Sequence, residues 1–303
     1  MASCASAGGT VNPYGFDTLW EATLYQGTHE DTEWVKDFVV NLSESLDPYK
    51  THSKMYRLNS EREVAGGGEF EQVLRFAVEM QNMTGGAFNP FTLGLNDAWK
   101  TALGQGEVLS QSEIEPLLET AKSTSLEFSD GKIRLVGEGN IDLGAIAKGF
   151  CMDCLKGYLD EKAIDTYIIS GGSSSLLIGK SGNGVSEYYN VIPRDYQSEG
   201  FKAKECGIST SSISEQLFDI DGVAYSHIVN ALTGSAEAQY VMALAKLDFA
   251  YMSSTDFPNA MLDAATTAFF AMGEDEIAKF CEEHHMEFML GGKDGIIKST
   301  IDA

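Results

Sequence analysis

Residues 141–149 read IDLGAIAKG, a run in which an apolar stretch passes through small residues to a lysine. The pattern predicts a strand that runs directly into a helix and leaves bare backbone exposed beside Lys148. Backbone N–H groups at the start of a helix, next to an ammonium group, attract anions. The stretch therefore predicts an anion-binding site at a strand–helix junction.

A second polar segment lies far along the chain, at residues 263–267, which read DAATT. Asp263 and Thr267 are four residues apart in a predicted helix, so their oxygens face the same side. The helix is so apolar that a carboxylate there is costly unless it is paired or bound to a cation. Hard oxygen ligands beside an anion site indicate a nucleotide pyrophosphate bound with a divalent metal. The alternative is that Asp263 caps the amides of another loop.

Composition limits the classes of partner. The chain has 303 residues, 43% of them hydrophobic, which is enough to bury a large core in one large domain or two small ones. Its formal net charge of −24 argues against a nucleic-acid partner and against an anionic membrane surface. Substrate phosphates must therefore be held by local features, and not by the field of the whole protein.

Cysteine usage gives two separate predictions. Among the five cysteines, only Cys151 and Cys154 have a CxxC spacing. They fall inside the helix predicted after Lys148, whereas a thiolate is stabilised at a helix start. Buried helix thiols are therefore favoured, and a redox or metal role stays open.

The first ten residues carry small side chains around Cys4, as at a lipoprotein cleavage site. This predicts a lipidated Cys4 and an extracytoplasmic, membrane-anchored protein. The alternative is a flexible leader at residues 1–12, with a cytoplasmic location. No stretch approaches the ~20 apolar residues that span a bilayer.

Residue periodicity predicts an α+β fold with largely antiparallel sheets and packed helices. A strand is indicated at residues 10–26 and a polar loop at 188–204. Helices are indicated at residues 31–46, 69–83, 145–161, 258–272 and 274–283, with another beginning at Ser110 under a capping-box pattern with Glu113. Turn-flanked hairpins are indicated at residues 126–136, 217–229 and 288–298.

His227 is a candidate catalytic residue on the second strand of the hairpin at 217–229. A strand histidine is more often a packed core residue, but its neighbours favour a functional role. Adjacent hydroxyl groups can hold phosphate or ribose, and glycines after an apolar strand let a ligand approach the backbone. These neighbours are Ser209, Thr210, Ser211, Gly171 and Gly172.

Five segments, in this order, resemble the ApbE family of flavin transferases, the FAD:protein FMN transferases. The resemblance spans the chain from about Phe16 to Ser299. The segments are residues 53–59 (SKMYRLN), 84–90 (TGGAFNP), 142–149 (DLGAIAKG, with Asp153 in the following helix), 225–234 (YSHIVNALTG) and 263–267 (DAATT).

The resemblance implies an ApbE-type α+β fold in a single domain at residues 13–303. It also implies Mg²⁺-dependent transfer of FMN from FAD to a threonine hydroxyl of an acceptor flavoprotein, with release of AMP. His227 would be the base that takes the threonine proton. Asn59, Lys148 and Asp142 would contact FAD. The Ala145 carbonyl, Asp263 and Thr267 would bind the magnesium.

The chain departs from the family pattern at three places. Residues 209–216 read STSSISEQ where the family has ATSGDYER, residues 230–234 read NALTG for DPRTG, and residues 169–173 read ISGGS for Asn-x-Gly-Gly-Asp. These changes bear on acceptor binding and leave the implied metal ligands and His227 in place. Two other functions therefore stay open: an Mg²⁺-dependent FAD pyrophosphatase that yields FMN and AMP, and a non-catalytic FAD-binding protein.

Overall fold

The computed structural model describes residues 8–181, 187–193, 200–214 and 216–302. Cys4, Glu215 and most of the predicted leader lie outside the described residues. The helices of the described chain are α1 (His29–Leu46), α2 (Lys54–Glu61), α3 (Gly68–Met83), α4 (Leu93–Gly104), α5 (Gln111–Lys122), α6 (Ala147–Glu161), α7 (Pro258–Ala268) and α8 (Glu274–Glu283). Short 3-10 helices occupy Phe249–Ser254 and Phe269–Ala271.

The strands of the described chain are β1 (Thr10–Val11), β2 (Tyr14–Gly15), β3 (Thr18–Leu24), β4 (Glu63–Ala65), β5 (Ser125–Ser129), β6 (Lys132–Val136), β7 (Tyr167–Gly171), β8 (Ser175–Ile178), β9 (Tyr189–Val191), β10 (Phe201–Ala203), β11 (Cys206–Ser212), β12 (Leu217–Ile220), β13 (Val223–Ser226), β14 (Met242–Asp248), β15 (Glu287–Gly292) and β16 (Gly295–Ser299).

One antiparallel sheet forms the centre of the molecule. Its strand order is β1-β3-β7-β8-β11-β14-β15-β16, and β2 pairs with β3 outside that path. Near its middle, β11 pairs with β14 from Cys206 opposite Asp248 to Ser212 opposite Met242. A small sheet, β4-β6-β5, and the hairpins β9-β10 and β12-β13 complete the described strands. This arrangement confirms the α+β class with antiparallel sheets.

Helices α6 and α7 pack closely against each other, and α7 lies on β11 and β14. A Cβ atom on Gly149 would lie 2.1 Å from the backbone oxygen of Asn259, so only glycine fits at this crossing. The Asp153 carboxylate accepts hydrogen bonds from the backbone N–H groups of Asn259 (2.9 Å) and Ala260 (2.8 Å), at the start of α7. Burial nevertheless raises the pKa of Asp153 to about 7. These contacts fix the spacing of the two helices.

A capping box holds the N-terminus of α1 and ties it to α6. The backbone N–H of Thr28 donates to Asp31 Oδ2 at 2.7 Å, and the Tyr158 hydroxyl donates to Asp31 Oδ1 at 2.8 Å. Burial acts to raise the pKa of Asp31, but the hydrogen bonds from Thr28 and Tyr158 outweigh it and lower that pKa below its usual value. The ionised carboxylate is thus the form that supports α1.

Two hydrophobic clusters lie on either side of the candidate site. The main core fills the space between the large sheet and the helices around α6 and α7. A smaller cluster, centred on Trp99 of α4, packs the β12-β13 hairpin against α4 and α5. Trp99 Nε1 donates to the carbonyl of Gly234 at 2.7 Å, and its ring lies 5.8 Å from the ring of Tyr225. The segment that follows β13 is therefore anchored to α4.

The hairpin and helix predictions are largely confirmed. All three predicted hairpins form, and at two of them the Asp-Gly turns have the positive φ angles expected of a two-residue turn. The backbone N–H of Ser110 donates to the Glu113 carboxylate at 2.8 Å at the start of α5, as the capping pattern predicts. Residues predicted as a loop at 188–204 instead include the β9-β10 hairpin.

Three further predictions about local structure were wrong, and two helices were not predicted. Residues 10–26 form three short strands, because the chain reverses at Phe16 and Asp17, which both have positive φ. The short helices α2 and α4 were missed. His227 follows β13 and is not on it, since the strand ends one residue earlier. No strand precedes α6: residues 141–146 are irregular, with one isolated bridge at Asn140.

Within the described chain, no helix combines the length and the apolar composition that crossing a bilayer requires.

Candidate active site

The segments selected from the sequence meet in one cleft between α6, α7, β11 and the chain after β13. The cleft contains a cavity of about 390 Å³. Backbone and a lysine border it on the α6 side, hydroxyl groups border it on the β11 side, and a histidine borders it from the segment after β13. The predicted site residues that line it are Asp142, Ala145, Lys148, Thr210, Ser211, His227, Asp263 and Thr267.

A second cavity, of about 330 Å³, adjoins the first. The residues that line both cavities include Lys148 and His227, together with Asp142 and the turn residues Phe16 and Asp17. Lys148 forms no ion pair with a described residue, so its ammonium is available to a ligand. The two cavities form one continuous cleft, and the lysine and the histidine lie where they join.

Asp263 is held from two sides beneath the cleft. Its Oδ2 accepts a hydrogen bond from the backbone N–H of Gly149 (3.0 Å), and its Oδ1 accepts one from the Ser209 hydroxyl (3.0 Å). The side chain is 4% exposed. A carboxylate has about four lone-pair positions, so two of them remain for another partner. Asp263 therefore does accept from a backbone amide of another segment, as the alternative of a capping role predicts, and it also keeps the capacity to bind a cation.

The same hydrogen bond caps the first turn of α6. Gly149 is the third residue of the helix, so its N–H has no partner within the helix, and the Asp263 carboxylate supplies one. The Ala145 carbonyl, just before the helix, accepts no hydrogen bond from any described residue. Because Ala145 lines the cavity, its oxygen is left for a ligand in the cleft.

Hydroxyl groups join β11 to α7 along the other wall. Ser211 Oγ lies 2.9 Å from Thr266 Oγ1 and 3.2 Å from Thr267 Oγ1. Thr266 is fully buried and also donates to the Asp263 carbonyl at 3.0 Å. Thr267, in contrast, is partly exposed and lines the cavity. The predicted spacing of Asp263 and Thr267 therefore does bring both to the same side of α7.

Asp142 is oriented by two donors. The backbone N–H of Gly144 donates to its Oδ1 at 2.8 Å, and Asn96 Nδ2 donates to its Oδ2 at 3.3 Å. Asn96 belongs to α4, a helix that the sequence did not reveal. Phe16, Asp17 and Asn96 are the principal lining residues that sequence reasoning missed. Pro13 and Gly15, just before the turn at Phe16 and Asp17, are turn-type residues that the prediction of one strand over residues 10–26 did not use.

Four of the predicted ligand residues do not line the cavity. The Asn59 side chain brackets the backbone of Ile141, donating to its carbonyl (3.0 Å) and accepting from its N–H (2.8 Å). Ser209 is 2% exposed and lies beneath Asp263. Gly171 ends β7 and Gly172 follows it, just before Ser173 and Ser174, which do line the cavity. Direct contact of these four with a flavin stays a prediction.

Cys151 and Cys154 lie in α6 and are poor candidates for redox or metal chemistry. Burial raises the pKa of Cys154 to about 12 and that of Cys151 well above its usual value, so neither is a ready thiolate. In the described chain no three His, Cys, Asp or Glu side chains converge on one point. The candidate metal ligands are therefore one carboxylate, that of Asp263, with the Thr267 hydroxyl and the Ala145 carbonyl, while the carboxylates of Asp17 and Asp142 also line the cleft.

The sequence matches a known protein family over most of the chain. The sequence profile of the ApbE family matches residues 16–290. The FAD:protein FMN transferase of Vibrio cholerae is 25% identical over 267 residues, which are 82% of this chain and 75% of that protein. The enzyme of the same name from Treponema pallidum is 27% identical over 182 residues, 54% of this chain and only 50% of that protein.

Solved structures agree in fold. The ApbE protein of Thermotoga maritima has a TM-score of 0.79 and 18% identity, covering 97% of each chain. The flavin transferase ApbE from Vibrio cholerae has a TM-score of 0.75 and 19% identity, covering 98% of this chain and 97% of that one. At these identities the likeness establishes the α+β architecture.

Proposed function

The chain belongs to the ApbE family, and from that premise we propose that it is an FAD:protein FMN transferase. It would transfer FMN from FAD to a threonine hydroxyl of an acceptor flavoprotein and release AMP. One observation carries the proposal: an unpaired carbonyl just before the start of α6, a lysine, a carboxylate and hydroxyl pair and a histidine border a single cleft. Such a cleft suits a substrate that has a pyrophosphate at its centre.

The residues of the cleft divide the work of the reaction. Lys148, Thr210 and Ser211 would bind the phosphate oxygens, since an ammonium group and hydroxyl donors complement their charge. Asp142, held by Gly144 and Asn96, would accept hydrogen bonds from the FAD. The acidic body of the protein supplies no general attraction for phosphate, so these local donors are required.

The transfer step forms one bond and breaks one. The acceptor threonine oxygen attacks the phosphorus of the FMN half, and the bond from that phosphorus to the bridging oxygen breaks, so that AMP leaves. His227, exposed at the junction of the two cavities, would take the proton from the threonine hydroxyl as the new bond forms. A neutral hydroxyl is a poor nucleophile, and a positioned base contributes typically 10²–10⁴-fold to such a step.

Magnesium fits the oxygen groups of the cleft. The Asp263 carboxylate, the Thr267 hydroxyl and the unpaired Ala145 carbonyl are the hard ligands that Mg²⁺ prefers, and they leave positions for water and phosphate. When bound there, Mg²⁺ would neutralise charge on the pyrophosphate. The orphaned Ala145 carbonyl supports this assignment, since nothing else in the described chain satisfies it.

The test is incubation of the protein with FAD and Mg²⁺, with and without a threonine-bearing acceptor domain, followed by mass spectrometry of protein and flavin together. We expect the acceptor to gain the mass of one FMN, with AMP released in equal amount. Free FMN and AMP without a modified acceptor would identify a pyrophosphatase, and intact bound FAD would identify a binding protein. The His227→Ala variant, which keeps the pocket, should bind FAD and lose the transfer.

Membrane attachment through a lipidated Cys4, and with it an extracytoplasmic location, remains part of this proposal and rests on the sequence around Cys4 alone. Mass spectrometry of the protein purified from its native membrane fraction tests it, because a lipidated Cys4 adds the mass of its acyl chains.

A further inference from the structure

Large apolar side chains stand exposed beside the cleft on three separate segments. They are Tyr14, Leu19, Leu217 and Leu232, here called the rim patch. We propose that the rim patch is the docking surface for the acceptor polypeptide, which it holds through apolar side chains on either side of the threonine. This inference rests on the proposed function, because it assigns the second substrate of the same site.

The first segment is the β2-β3 hairpin. Tyr14 and Leu19 are directly opposed across its two strands and are 64% and 61% exposed. The turn of the same hairpin, Phe16 and Asp17, lines both cavities of the cleft. The backbone N–H of Phe16 donates to Ser43 Oγ at 2.6 Å, which fixes the turn to α1. An exposed apolar pair therefore lies two residues from the cleft wall on each strand, on a turn that is fixed to α1.

The other two segments border the cleft from the side of His227. Leu217, 53% exposed at the start of β12, lies between Gln216 and Phe218, which both line the second cavity. Leu232, 42% exposed, follows Ala231, which lines the first cavity. Scattered exposed apolar residues are ordinary on a protein surface. Three segments that each place one within two residues of a cleft-lining residue form a patch at the mouth of the site.

The chemistry of the site selects the occupant. FAD supplies the FMN group, and the remaining reactant is a hydroxyl carried by a polypeptide, which must pass the rim to reach His227. Asp17 lies in the turn between Tyr14 and Leu19, and Asp219 and Asp221 lie on the same hairpin as Leu217, in a chain of net charge −24. A partner segment with apolar flanks and neutral or basic surroundings fits such a surface, whereas an acidic one is repelled.

Binding of short fluorescein-labelled peptides, measured by anisotropy with FAD present, tests this proposal. One peptide has a central threonine flanked by leucine and valine, and the other has serine in those flanking positions; both carry terminal lysines. We expect wild-type protein to prefer the apolar peptide. Leu19→Ser and Leu217→Ser should each raise its Kd about fivefold, as expected when the burial of a half-exposed leucine is lost.

Tyr14→Ser and Tyr251→Ser form a matched pair of variants. Tyr251 is also an exposed tyrosine, but it follows β14 at the end where Asp248 pairs with Cys206, away from the hydroxyl end of β11. Tyr14→Ser should weaken binding of the apolar peptide, and Tyr251→Ser should leave it unchanged. Equal binding of both peptides to wild type, or equal losses in the matched variants, would overturn the proposal.

Release of AMP from FAD in the absence of peptide tests the proposed use of FAD separately from the docking role of the rim patch. The rim variants should leave FAD binding and this basal release at the wild-type value, since none of the four rim side chains belongs to the cavity lining. If no form of the protein uses FAD, the proposed transfer fails, while peptide affinity still decides whether the rim patch binds a polypeptide.

Discussion

Replacement of Asp263 by two different residues separates its structural role from its role in binding a cation. Its carboxylate accepts from the Gly149 N–H and from the Ser209 hydroxyl, both at 3.0 Å. In Asp263→Asn, the amide oxygen can still accept from Gly149, and the amide NH₂ can donate to the Ser209 oxygen, because a hydroxyl group can reverse its direction. In Asp263→Ala, the Gly149 N–H is left buried without a partner.

The magnitudes follow from these contacts. A buried donor without a partner costs about 1–3 kcal/mol, and a hydrogen bond to a charged group contributes about 1.5–3 kcal/mol. We therefore expect Asp263→Ala to lower the free energy of unfolding by about 2–4 kcal/mol. Asp263→Asn should lower it by about 1 kcal/mol or less, since both donors keep a partner.

Urea denaturation measures the structural role of Asp263, and the change in melting temperature on adding Mg²⁺ with FAD measures its role in binding a cation. Wild-type protein should gain stability from the pair of ligands. Asp263→Asn should remain folded and lose that gain, because an amide is a much weaker ligand for Mg²⁺ than a carboxylate. The reasoning is refuted if Asp263→Asn unfolds as readily as Asp263→Ala, or if it retains the full Mg²⁺-dependent gain.

Three further predictions concern the elements that hold the site. Gly149→Ala places a methyl group 2.1 Å from a backbone oxygen of α7, so we expect a loss of about 1–3 kcal/mol in urea denaturation together with weaker FAD binding. Trp99→Phe removes the donor to the Gly234 carbonyl. It should lower the transfer rate more than the affinity for FAD, because the segment anchored by Trp99 carries His227. Equal effects on the rate, measured by stopped-flow kinetics, and on the affinity, measured by titration, would contradict this prediction. Asp31→Asn should lower the free energy of unfolding at pH 7. The difference from wild type should shrink as pH falls below ~4 and through the lowered pKa of Asp31, because protonation removes the same charge from the native protein. A difference in unfolding free energy that is constant with pH would count against this prediction.

Local sequence patterns were sufficient for the elements whose signals are local. The capping pair at Ser110, the Asp-Gly turns and the four-residue spacing of Asp263 and Thr267 depend on residues near each other in the chain, and the structure has them as predicted. Helix α2 was missed because only two of its eight residues are buried, which leaves a weak apolar period. Helix α4 was missed because its first turn contains Gly94 and Asn96, which both have low helix propensity.

The remainder depends on contacts between distant segments. Asp263 was considered either as a cap for another loop or as a cation ligand, and only the packing of α6 against α7 shows that its carboxylate accepts from Gly149 and still faces the cavity. The turn at Phe16 and Asp17 has a weak local signal in Pro13 and Gly15, but the two residues with positive φ are themselves not glycine. Ser43 of α1 fixes that turn, and no pattern within residues 10–26 contains this information.

Because the chain is synthesised from its N-terminus, the packing of α6 against α7 forms only after α7 has been made. The segment at residues 141–149 leaves the ribosome well before Asp263 of α7, which caps the first turn of α6 and would complete the proposed oxygen ligands. A nascent chain that ends before α7 has the lysine but lacks the carboxylate and the Thr267 hydroxyl. The flavin nucleotide can therefore stabilise only a chain whose C-terminal part has been made, so cellular FAD would protect finished molecules and not growing ones.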